Sequence, residues 1–210
     1  MKQSQYMILF ISICLLINAA FIDAKESISV DHDVVIERIG VKGPLEFNKT
    51  IFNLAWTDKP RDNYYIQEYL PKGETLEKFD QMLTIHLFLT DLEPVDAVRQ
   101  KERELIEWNK KEDQFWFYKT FHNPDSQEYM IDFLCGESKD NLMTLVEFTI
   151  YRYKQIFITV NQKALLIFAY SKRSYDEEIT SFFETFEDDR LSLLNLMILS
   201  EVPDVTITNK

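Results

Sequence analysis

Cys135, followed directly by Gly136, is the residue with the most reactive side chain in this sequence, and His86 and His122 are the candidate bases for it. A thiol becomes a nucleophile when a base or a positive neighbour holds it ionised. Cys-Gly is not a signature, however, and nothing else in the chain completes one. The better reading makes Cys135 a small apolar filler at a strand end. His86 stands within strand alternation, where a hydrogen-bonded, partly buried imidazole is the expectation. Asp31, His32 and Asp33 offer donors to a divalent metal but lack companions, and neither HExxH nor paired CxxC occurs. No metal and no cofactor is expected. Glu184, Glu187, Asp188 and Asp189 crowd the final helix. Carboxylate pairs perform acid and base work, but these fall opposite the phenylalanines and read as a solvated face. Asn48, Lys49 and Thr50 form a glycosylation sequon.

One aromatic and cationic constellation remains. Tyr151, Arg152 and Tyr153 lie on one limb of a long hairpin, with Tyr170, Lys172, Arg173 and Tyr175 on the other. If the limbs pair in the simplest way, these residues gather at one end of the sheet and make a surface for sugars, peptides or a partner protein. The candidate binding residues are Tyr151, Arg152, Tyr153, Tyr170, Arg173 and Tyr175. The competing reading, and the favoured one, is cross-strand packing beneath a helix.

The elements that would position these residues follow from periodicity. Leu142, Thr144, Val146, Phe148 and Ile150 share the core face of the hairpin's first strand, and residues 164–170 alternate in the second. The piece Ile156–Val160 extends either limb or stands alone. Earlier strands are expected over Val34–Ile39, Thr50–Thr57, Tyr64–Leu70 and Met82–Leu89, with Asp58–Asn63, containing Pro60, as a turn. Pro94 to about Asp113 is a helix with an apolar stripe at Val98, Leu105 and Trp108. Phe115–Phe121 is apolar on both faces and so is expected to be a central strand, followed by Glu128–Cys135. Ser174 opens the last helix, in which Ile179, Phe182, Phe183 and Phe186 face the core and Leu193, Leu194 and Met197 continue the stripe. The fold class is α+β, a mainly antiparallel sheet flanked by two long helices in an α-β-α sandwich.

Residues 1–24 read as a signal peptide: Lys2, an apolar stretch over Met7–Ile22, then small residues. The stretch falls short of the roughly 20 residues that span a bilayer comfortably. Residues 25–210 then form one α+β domain with a polar amino-terminal segment and a short tail. Cleavage removes Cys14 and leaves Cys135 alone, so packing rather than a disulfide stabilises the domain. The chain's 16 Phe, 10 Tyr and 3 Trp supply the area for that. A net charge of -12 repels phosphate backbones and anionic lipid, so no nucleic-acid partner and no stable membrane insertion after cleavage are expected.

The order of elements resembles the Mog1/PsbP-like α-β-α sandwich. The stretches Tyr69–Gly73 (YLPKG) and Ala169–Tyr175 (AYSKRSY) look like small exported bacterial proteins without assigned activity. The first resemblance implies a non-catalytic accessory or assembly role, and no residue's role carries over. The expectation is therefore a periplasmic or secreted, non-enzymatic factor that binds a protein of the envelope. A glycan or cell-wall-fragment binder is the alternative, and a cysteine-dependent hydrolase the third reading.

Overall fold

Alternation of apolar side chains over most of the chain builds one eight-stranded antiparallel sheet. The computed structural model describes residues 35–109, 117–140 and 142–207. The signal reading over residues 1–24, the Asp31–His32–Asp33 cluster, and Phe115 and Trp116 lie outside the described residues. The strands are β1 (Leu45–Phe47), β2 (Thr50–Arg61), β3 (Tyr64–Pro71), β4 (Gln81–Phe88), β5 (Phe117–Asn123), β6 (Glu128–Lys139), β7 (Leu142–Thr159) and β8 (Gln162–Tyr175). Their order across the sheet is β1-β2-β3-β4-β8-β7-β6-β5. Two meanders, β1 to β4 and β5 to β8, thus join where β4 pairs with β8. Helix α1 (Pro94–Asn109) connects them, and α2 (Ile179–Leu199) closes the chain after a 3-10 turn at Asp176–Glu178.

Strand twist, with register breaks in the β2–β3, β6–β7 and β7–β8 pairs, curls the sheet into a half-barrel. This overturns the expected sandwich with two long helices. Only α2 is long, at 21 residues. Helix α1 is described over the 16 residues Pro94–Asn109, and the rest of its expected span to about Asp113 lies outside the described residues.

Paired residues fix which side chains share a face. Leu134, Phe148, Lys172 and, one step on, Ile150 and Tyr170 point to the side that α2 covers, where Phe186 meets Phe148 edge-on at 5.3 Å. Phe182, Phe186, Leu193, Leu194 and Met197 complete that core. Phe133, Thr149, Tyr151 and Tyr153 point to the opposite side, where α1 brings Ala97, Val98 and Leu105. Both faces of β7 and β8 are buried, which one-face alternation understated.

Four local expectations are corrected. Residues 35–39 form no strand, although Ile39 is buried in the core; the carboxy-terminal tail holds this segment, with the Thr206 N–H donating to the Ile39 carbonyl at 2.8 Å. A Cβ on Gly40 would stand 2.2 Å from Thr206 Oγ1, so glycine permits that approach. Pro60 lies inside β2, where β1 has already ended and the edge needs no N–H donor. Finally, β5 is an edge strand with mostly exposed side chains, not a central one. The last helix also begins later than Ser174, because β8 runs on to Tyr175. Residues from Ile36 onward form one unit, and among the described residues no helix is long and apolar enough to cross a membrane.

Candidate functional site

The candidate thiol and imidazole do not meet. His86 on β4 is level with Ile167 on β8, Tyr153 on β7 and Tyr129 on β6. Cys135 is therefore three strands across and six residues along, on the order of 20 Å away by strand spacing. Its thiol is buried, donates to the Glu147 carbonyl at 3.6 Å, and is pushed well up in pKa by burial, with the Glu147 charge adding to the effect. Such a thiol stays protonated and inert. His86 Nδ1 meets the Tyr64 hydroxyl at 2.9 Å, and its ring packs near Tyr151. Burial lowers its pKa to about 3, and the Lys101 charge acts in the same direction. Among the described residues no three His, Cys, Asp or Glu side chains gather as metal ligands.

The depressed imidazole sets a pH dependence. Between the ordinary value of 6.5 and about 3 the unfolded chain holds the His86 proton and the folded chain does not. Stability contributed by neutral His86 is thus present above pH 6.5 and lost as pH falls through that window. From pH 6.5 to 5, wild type should lose about 2 kcal/mol more than a His86→Phe variant in urea titrations. Parallel pH profiles for the two proteins would refute the assignment.

The six candidate binding residues do not form one surface. Register puts Tyr151, Arg152 and Tyr153 opposite Ala169, Phe168 and Ile167, whereas Arg173 and Tyr175 oppose Glu147 and Leu145, six residues away. Tyr151, Tyr153 and Arg173 face α1's side, and Arg152 and Tyr170 face α2's. Tyr151, Tyr153 and Tyr170 are all buried, at 4%, 0% and 1% exposure. Tyr170 donates to Gln81 at 3.0 Å, and the Tyr175 hydroxyl donates to the Phe79 carbonyl at 2.8 Å. Arg173 is held by Glu147. Arg152 pairs with Glu128 at 2.6 Å and donates to the Met197 and Ser200 carbonyls at 2.8 and 2.7 Å, fastening the carboxy-terminal end of α2.

What the chain does present lies beside that fastening. A hollow of about 230 Å³ opens between Phe121 and His122 of β5, Met130 of β6 and Ile198 of α2. Its floor is apolar, and Arg152 and Glu128 in its wall already satisfy each other. Ile198 belongs to one flank of α2 with Phe183 and Leu191, exposed at 48%, 41% and 55%. Phe183 is thereby corrected: it looks outward while Phe182 and Phe186 face the core. Successive turns of the same flank carry exposed Glu184, Glu187 and Asp188, whereas Asp189 turns to the other side and pairs with Lys172 at 2.7 Å. The available signal in sequence was a leucine and an isoleucine, Leu191 and Ile198, seven residues apart and off the core stripe.

A protein-family model matches residues 39–202, a span that takes in every strand and helix of the described residues. No curated protein and no solved structure matches.

Proposed function

The chain belongs to the family whose model spans residues 39–202, and within it we propose an exported, non-catalytic factor that binds another protein of the envelope or extracellular space. The observation that carries this reading is the apolar flank of α2, with Phe183, Leu191 and Ile198 exposed along it and Ile198 lining a hollow sized for a partner's side chain. Apolar side chains clustered at an adjacent pocket are where binding energy concentrates in protein interfaces. The inert Cys135 and the distant, neutral His86 support a non-catalytic role. Export rests on Lys2 and the apolar run Met7–Ile22. Burial of Tyr151, Tyr153 and Tyr170 removes the aromatic surface on which the glycan reading stood.

The test is cross-linking in the native envelope with tagged protein, wild type against Leu191→Glu with Ile198→Glu. Both positions are exposed, so the unfolding midpoint should hold. Loss of the anchor should cost at least about 2 kcal/mol of binding, roughly thirtyfold in affinity. Recovery of both proteins as uncross-linked monomers would refute the reading.

A further inference from the structure

We propose that the partner binds as an extended segment added to the free edge of β5, with two apolar side chains and then a basic one on the face turned to α2. This rests on the protein-binding reading above and names the occupant of that surface. Among the described residues β5 pairs only with β6, and does so without a register break from Phe117 to Asn123. Its outer row of backbone donors and acceptors is a regular template for one more strand. The other border of the sheet is unlike it: β1 covers the start of β2, and two register breaks and Pro60 interrupt the rest. A second copy of the chain is disfavoured as the occupant, because Lys119 stands mid-strand on β5, a common guard against edge-to-edge association of copies.

The side chains beside this edge specify the segment. Phe117, Lys119 and Phe121 share the α2 side of β5, opposite Leu134, Asp132 and Met130. At the Phe121 end, the hollow with Ile198 takes an apolar side chain. One turn-pair back along α2, Leu191 offers a second apolar contact. Towards the Phe117 end, where Arg190 lies over the Phe117 ring, the same flank continues into Glu187 and Glu184. A strand repeats a face every two residues, so the complementary pattern is apolar, any, apolar, any, Lys or Arg.

Selection of randomised twelve-residue peptides against the full chain tests this. Enriched sequences should carry that period-two pattern with a basic end. The synthetic form of an enriched peptide should slow amide exchange across Phe117–Asn123 at least tenfold, and N-methylation of its alternate amides should abolish binding. Glu184→Lys with Glu187→Lys should weaken it about tenfold at low salt. Peptides with apolar residues at helical spacing that protect α2 and leave β5 exchange unchanged would overturn strand addition and leave the protein-binding reading standing. Failure to enrich any peptide whose binding is lost in Leu191→Glu with Ile198→Glu would overturn both.

Discussion

Replacing Arg190 with Met should cost about 3 to 5 kcal/mol of folding stability, measured by chemical denaturation at pH 7. Arg190 lies on the core stripe of α2, its Nε donates to Asp132 Oδ2 at 2.5 Å, and Asp132 is fully buried on β6. Removing the guanidinium strands a carboxylate in the interior, and that stranded charge, rather than the lost contact alone, makes the effect large. The pair itself is imperfect, since Nη2 of the Arg190 guanidinium has no hydrogen-bond partner among the described residues, while the Lys119 backbone also holds the Asp132 carboxyl. Asp132→Leu combined with Arg190→Met should therefore recover most of the loss. Burial already raises the Asp132 carboxyl above its ordinary range, with Arg190 pulling it back down. Without Arg190 the rise is greater. The folded variant then binds a proton that the unfolded chain releases, so lowering the pH towards the ordinary carboxylate value should narrow its deficit against wild type. A deficit under 1 kcal/mol, or one that widens on acidification, would show that Asp132 does not depend on Arg190.

That pair also shows what could be read from the sequence and what could not. Arg190 falls four and eight residues after Phe186 and Phe182, and a lone cation on an apolar stripe implies a buried partner. Lys101, three residues after Val98 and four before Leu105, carries the same signal on α1, and it is buried over the Phe133 and Tyr151 rings. Neither partner was legible, because Asp132 and Phe133 reach those helices only through pairing across a sheet whose order depends on long-range contacts. The hairpin of β7 and β8 was legible because its alternation is local. The place of β5 was not: Phe117 and Phe121 are half-buried at an edge by α2 folding over them, and two-sided apolar composition does not distinguish that from a central strand. The same ambiguity hid the candidate surface. That Leu191 and Ile198 lie off the core stripe is local, but what that flank faces depends on the helix's orientation, which Arg152, Arg190 and Lys172 set through bonds made at a distance in sequence.

On the opposite face, Glu147→Leu should cost a similar 3 to 5 kcal/mol, and here acidification should restore nothing. The Glu147 carboxylate accepts from Arg173 Nε at 2.5 Å, from the Thr149 hydroxyl at 2.9 Å and from Ser171 at 3.2 Å. Arg173 is 5% exposed and stacks over the Phe79 ring at 3.9 Å, so it cannot swing out to water without giving up that packing. Leucine fills the carboxylate's volume with apolar atoms, takes the charged partner from the Arg173 guanidinium, which keeps the Tyr175 hydroxyl, and leaves the Thr149 and Ser171 hydroxyls, 2.9 Å apart, to share one hydrogen bond between them. Guanidinium keeps its proton at any pH a protein survives, which removes the escape open to Asp132. The two single variants should therefore part on acidification, Arg190→Met gaining on wild type between pH 7 and 5 and Glu147→Leu holding a constant deficit. Glu147→Gln, which keeps an acceptor for Arg173 but loses the charge, should fall between Leu and wild type. If Glu147→Leu matched wild type within 1 kcal/mol, Arg173 would have to find another acceptor, and the fixed placement of β8 beneath Phe79 would not depend on this pair.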